Sequence, residues 1–176
     1  AAFRDGKRSS VTSQDISFNK ATACPVELLQ PTHKNYTYKG GATLTDGLLG
    51  DKGFGTGRWL GFSGNDLEAV IDLKQNTDVS SVSLNTCGDK GSWIFDARNI
   101  EVSVSADGKS FTKVASKSLP ALEEQTPDNI YTYELTFPQT TTRYVKVTAT
   151  SEHNIPEWHG GKGKPAFLFV DEISVK

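Results

Sequence analysis

The chain lacks several things that would have decided its class at once. Among its 176 residues there is no methionine, not even at position 1, so the chain reads as a processed product or a piece of something longer. No charged-then-apolar leader opens it, and export is therefore not legible from its start. Its longest purely apolar run, Ala166 to Val170, is far short of the roughly 20 residues that a membrane-spanning helix needs. Basic excess is missing too: 19 Lys and Arg stand against 21 Asp and Glu, a formal charge of −2. That balance argues against a nucleic-acid partner, whose electrostatic footprint is a basic surplus. Only Cys24 and Cys87 are present, too few for a disulfide framework or for a closed zinc site without other ligands. A bridge between them in an oxidising compartment stays open, but two separate buried thiols is the plainer and preferred reading.

Catalytic signatures are equally scarce. Gly61-Phe62-Ser63-Gly64-Asn65 lacks the glycine spacing of a nucleophile elbow. Glycines 53, 55 and 57 do not sit between a strand and a helix as a phosphate cradle requires. His33, His153 and His159 have no partner at metal-site spacing. Among 21 acids, none is singled out as half of a facing pair for glycoside hydrolysis. Helix signals are nearly absent as well; the one short stretch near Leu119 to Gln125 is crowded by Pro120 and Pro127.

What is present is alternation. Leu67 to Leu73, Ile100 to Val104, Tyr131 to Phe137 and Val145 to Ala149 place apolar side chains at every second residue, as a strand with one buried face does. Val82 and Leu84, and the shorter stretches Asp15 to Asn19, Phe111 to Ala115 and Phe167 to Val175, bring the expected total to about eight strands. Asp107-Gly108 predicts a tight hairpin between Ser105 and Ser110. Pro25 to Gly64 and Ser151 to Pro165 do not alternate, and loops of that length are usually functional or tied down. The expected fold class is all-β, an antiparallel β-sandwich of jelly-roll type over residues 14–176. Residues 1–13 are polar and read as a connector from an upstream domain.

Most Phe and Tyr residues fall in the alternating strands, where core packing explains them. The tryptophans do not. Trp59, Trp93 and Trp158 each lie in or beside a glycine-containing polar loop. An indole face at a loop stacks on the C–H face of a sugar, and neighbouring polar groups then bind its hydroxyls. Trp59 precedes an apolar segment and reads better as a core plug. For Trp93 and Trp158, ligand contact and anchoring of their own loops compete evenly. The expected sugar site is Trp93 and Trp158 as platforms, with His159, Asp89 and Arg58 as hydrogen-bonding partners; Arg58 has a structural alternative in pairing with a carboxylate.

Several segments in order carry a resemblance. Asn19 to Pro25, Leu44-Thr45-Asp46-Gly47, Gly57 to Phe62, the hairpin Ser103 to Phe111, Arg143 to Val147 and Phe169 to Ile173 together resemble a discoidin-like domain, also called the coagulation factor five/eight type C domain. The likeness covers about residues 15–176 and implies a galactose-binding-domain-like jelly roll. Gly91-Ser92-Trp93-Ile94 and Pro156-Glu157-Trp158-His159 are similar to C-terminal modules of bacterial β-hexosaminidases or chitobiases of glycoside hydrolase family 20, grouped near carbohydrate-binding module family 32. The implied protein is a non-catalytic module, exported with an upstream catalytic domain to the periplasm, cell surface or medium. Its implied partner is a glycan of N-acetylhexosamine or galactoside type.

The resemblance also implies one structural calcium. Asp46 and Glu172 occupy the family's acid-glycine and late-Glu positions, with Asp51, Thr56 and backbone carbonyls as further oxygens for an ion that takes six to eight. The chain departs from the pattern in having Gly57 where the family has Thr two residues before the Trp, and a longer glycine-rich insertion. A carboxylate that merely caps a turn is the alternative. Three functions compete with sugar binding. An interdomain spacer would use Trp158 as a contact. A membrane or protein adhesion module would use Trp93-Ile94-Phe95 as a loop tip, and the slightly acidic charge counts against it. A hydrolase in its own right ranks last.

Overall fold

The structure is a computed structural model that describes residues 3–11 and 18–176. Strand β1 (Phe3–Arg4) and strand β2 (Lys7–Arg8) form a small hairpin of their own within the segment read as a connector. Seven further strands make the main sheet: β3 (Val26–Leu28), β4 (Leu60–Ser63), β5 (Leu67–Gly88), β6 (Asn99–Ser105), β7 (Thr112–Ser118), β8 (Asn129–Thr150) and β9 (Phe167–Val175). Among the described residues these strands pair with one another antiparallel, in the order β4-β9-β5-β8-β6-β7, with β3 added to β5.

Two layers arise because β5 and β8, each 22 residues long, serve both. The first part of β5 pairs with β3 and with the end of β8, Leu67 opposite Ala149. Its last part pairs with β9 and with the start of β8, Leu84 opposite Tyr133. The register breaks between Asp72 and Thr77, where Lys74 takes a left-handed φ of 70°, and again between Val79 and Ser81. Irregularities of this kind bend a strand and sharpen its twist. Leu67, Ala69 and Ile71 from one half of β5 then share a single buried cluster with Val82 and Leu84 from the other. The jelly-roll β-sandwich expected from alternation is the observed architecture.

Its strand boundaries differ from the expectation in physical ways. The segments at residues 67–73 and 82–84 are one bent strand, and so are those at 131–137 and 145–149. Strands β3 and β4 were hidden in the non-alternating stretch because they are only three and four residues long, and Leu60, Gly61 and Phe62 are buried in succession. Between β6 and β7 the Asp107-Gly108 turn takes up residues 106–111, because the second strand starts at Thr112 rather than near Ser110. Asp107 organises it by accepting hydrogen bonds from the backbone N–H of Lys109 and Ser110, which hold its carboxyl down at about 2. The expected strand at Asp15 to Asn19 falls mainly outside the described residues, and Phe18 and Asn19 belong to no strand. Cys24 and Cys87 are separate buried thiols. No helix of the described residues is long and apolar enough to cross a membrane.

Candidate functional site

At the end of the sandwich where β5 finishes and β8 and β9 begin, the loops at residues 89–98 and 151–166 meet. Backbone bonds fasten the first loop to the start of β9: Phe167 N–H donates to Trp93 O at 2.8 Å, and Phe95 N–H to Phe167 O at 2.9 Å. Asp96 anchors it from below. This buried carboxylate accepts from the hydroxyls of Thr86 on β5 and Tyr133 on β8, and from the backbone N–H of Ala97 at 2.7 Å. Burial raises its pKa even though these bonds favour the charged form. Trp93 closes the preceding 3-10 turn, Lys90–Ser92, with a left-handed φ of 66°, which a bulky residue adopts only under constraint from its surroundings.

The second loop brings the other aromatic residues over this one. Trp158 is 37% exposed, while Phe95 beneath it is 1% exposed, their ring centroids 6.1 Å apart. His159 stands edge-on to both, 5.9 Å from Phe95 and 5.7 Å from Trp158. Its Nδ1 accepts from the backbone N–H of Gly161 at 3.0 Å, which leaves the ring proton on Nε2. Gly161 also lets the loop close on Trp93, since a Cβ there would lie 3.1 Å from the indole. Lys164 places its ammonium 5.2 Å above the half-buried Trp93 ring. Trp158 and His159 thus gather around Phe95, and Trp93, from a loop more than 60 residues earlier in sequence, packs against the buried cluster that holds Phe95, so the two loops build one aromatic rim. Phe95 and Lys164 complete it. Neither was marked by sequence reasoning, because Phe95 looked like part of a loop tip and Lys164 like one charge among many.

The other two expected partners, Asp89 in the same loop and Arg58 before β4, are held by contacts of their own. Asp89 caps its own 3-10 turn, accepting from Ser92 N–H at 3.2 Å and Ser92 hydroxyl at 3.1 Å. Arg58 lies on the loop before β4, 3.9 Å from the Asp51 carboxylate and donating to Leu49 O at 3.4 Å. Trp59 is 0% exposed. It packs with Cys87, Ile94 and Phe169, and its indole N–H donates to Asp51 O at 2.9 Å, so the core-plug reading holds.

The loop at residues 45–59 is strapped to β9 by two buried carboxylates. Glu172 accepts from Gly47 N–H at 3.0 Å, and Asp171 from Gly50 N–H and the Asn85 side chain at 2.8 and 2.9 Å. Burial pushes Asp171 up to about 6 and Glu172 up to about 7, the latter with a contribution from the nearby charges of Asp46 and Asp171. Asp46 itself pairs with Lys39 at 3.0 Å. Asp51 instead closes an exposed turn by accepting from Gly53 N–H at 2.9 Å. Among the described residues no three carboxylate, imidazole or thiol side chains gather as a metal-holding group. Any cation here would take most of its ligands from backbone carbonyls and water, which suits a hard ion such as calcium.

Residues 27–164 match the family model for the F5/8 type C domain. No curated protein sequence matches the chain. Similar solved structures include CpGH89CBM32-6 produced by Clostridium perfringens, 16% identical, covering 90% of this chain and 98% of that one with a TM-score of 0.55. Chitosan-binding module 1 from a Paenibacillus sp. IK-5 chitosanase/glucanase is 17% identical, with 91% and 99% covered and a TM-score of 0.57. A Streptococcus pneumoniae fucose binding module is 19% identical, with 99% and 98% covered and a TM-score of 0.55. With its sandwich topology and a family match over most of its length, the chain belongs to the F5/8 type C domain family.

Proposed function

We propose that this domain is a non-catalytic carbohydrate-binding module that holds a glycoside hydrolase near its glycan. The host is of the β-hexosaminidase or chitobiase type, exported to the periplasm, cell surface or medium. The observation that carries this reading is Trp158: an indole more than one-third exposed, backed by buried Phe95 and flanked by His159, at a loop-built end of the sandwich. A flat apolar face held rigid from behind offers stacking area to a sugar ring without the cost of ordering a mobile side chain. His159 Nε2–H and Lys164 supply donors to hydroxyls on either side. The chitosan- and fucose-binding modules that share the fold support the same class of ligand. N-acetylhexosamines and galactosides are the sugars we favour.

A glycan array on the wild type and on Trp158→Ala tests this. Binding that disappears with the indole supports it; a wild-type protein that binds no glycan on the array refutes it. We further propose one structural calcium held by Asp46, Glu172 and backbone carbonyls of the loop between them. In this role the ion would relieve the mutual repulsion and poor solvation of the two acids, a stabilising effect that chelation would remove. An unchanged melting temperature after treatment with a chelator rejects it.

A further inference from the structure

A second pocket lies at the same end, built from residues that the aromatic rim does not use. It is a cleft of about 180 Å³ lined by Lys52, Cys87, Gly88, Asp89, Asp128, Asn129 and Ile130. Its walls divide by chemistry. Two acceptors are locked in place: Asp89 by the backbone and hydroxyl of Ser92, and Asp128 by the ammonium of Lys90 at 2.9 Å, with Lys90 N–H also donating to it at 3.1 Å. Lys90 is held in turn by Thr126 O, so the Asp128 carboxylate has a fixed position. Lys52 and Asn129, both exposed, line the same cleft and bring to it side chains that carry donors, an ammonium and an amide. Cys87 and Ile130 add apolar surface. Burial, followed by the nearby charges of Asp89, Asp128 and Asp171, pushes the Cys87 thiol up to about 11, so it stays neutral.

We infer that this cleft is a binding subsite for a single neutral hexopyranose ring, gripped through adjacent hydroxyls. Each hydroxyl both donates and accepts. A vicinal pair therefore gives protons to Asp89 and Asp128 and takes them from Lys52 and Asn129, while the ring's C–H edge lies on Ile130. Fixed carboxylates are strong acceptors for such donors. The volume falls below the roughly 300 Å³ at the lower end of drug-sized pockets, so it suits one ring rather than a run of them. This inference rests on the carbohydrate-binding reading and adds to it a subsite that selects by hydroxyl arrangement, beside an aromatic rim that any sugar face can cover.

The test is a nuclear magnetic resonance titration of the nitrogen-15-labelled domain with methyl β-galactopyranoside and, separately, methyl 2-acetamido-2-deoxy-β-glucopyranoside. The backbone amides of Gly88, Asp89, Asn129 and Ile130 report on the cleft, and the Trp158 indole N–H reports on the rim. The expected result is saturable movement of the cleft amides by at least one glycoside. Lys52→Ala and Asn129→Ala should each weaken that binding about three- to tenfold, as loss of one charged or polar hydrogen bond does, with melting temperatures unchanged. Movement confined to the Trp158 indole and the 151–166 loop overturns the cleft and leaves the carbohydrate-binding reading standing. Cleft movement that neither variant weakens overturns the assigned contacts. A domain whose signals respond to neither glycoside, and which also binds nothing on the glycan array, loses both readings.

Discussion

Trp59 and Trp158 look alike in the sequence, each set among glycines in a polar stretch, yet they finish in opposite roles. Trp59 is sealed beneath the 45–59 loop, its N–H satisfied by Asp51 O and its ring against Phe169 and Ile94. Gly50 passes so close that an added Cβ would sit 2.2 Å from the indole, and Asp171 on β9 holds Gly50 there through its N–H. Trp158 also rests on a buried ring, that of Phe95, yet stays 37% exposed. The difference teaches that an indole near glycine becomes core when a backbone from elsewhere closes over it and supplies an acceptor. It remains surface when its support comes from behind.

Substitutions at these two places should separate the roles. Trp59→Ala removes the largest fully buried side chain of its cluster and should cost about 3 to 5 kcal/mol in chemical denaturation. A cost below 1 kcal/mol would mean that Trp59 is not a plug. Gly50→Ala should cost about 1 to 3 kcal/mol through overpacking against the same ring. A neutral outcome would show that the loop shifts away freely, and the contrast would lose its cause.

The rim end carries a pH signature through Asp96. Burial raises its pKa in the folded state, so the fold keeps this proton at pH values where the unfolded chain has released it. Its contribution to stability is full at acid pH and declines as pH rises from the ordinary carboxylate range through the raised folded value. Asp96→Asn should flatten that decline in denaturation midpoints measured across the range. An equally steep profile in the variant would assign the titration to other groups, with Asp171 and Glu172 the first to examine. The smallest stability effect is expected at Trp158. Trp158→Ala should change stability by less than about 1 kcal/mol, as exposed positions usually do, while weakening glycan binding at least tenfold. A loss of several kcal/mol would turn Trp158 into a second plug and abolish the comparison.

The fold was largely readable because alternation is local: a strand with one buried face writes its period into neighbouring residues. Strands β6, β7 and β9 fall close to where that period put them. The continuity of β5 through its bend was not readable, since Lys74 takes its left-handed φ without a glycine or proline to announce it. Neither were β3 and β4, too short and too deeply placed to alternate. At the site, loop chemistry pointed to Trp93, Trp158 and His159, and the structure gathers them. It could not separate Asp89, which caps a turn and lines the cleft, or Arg58, which lies beside Asp51. The cleft residues Lys52, Asp128 and Asn129 carried no signal at all, because each is an ordinary polar residue until three distant segments converge.

The residue pattern by itself settled that this chain is a β-sandwich with aromatic loops and no legible catalytic apparatus, since periodicity, turn residues and missing motifs are properties of short stretches. The apolar segment after Trp59 already favoured hiding that indole, but only tertiary structure supplied what closes over it and offered Trp158 to solvent. That outcome depends on Phe169, Asp171 and Gly50 for one ring and on Phe95 for the other, and burial is set by what packs across a side chain from far along the sequence.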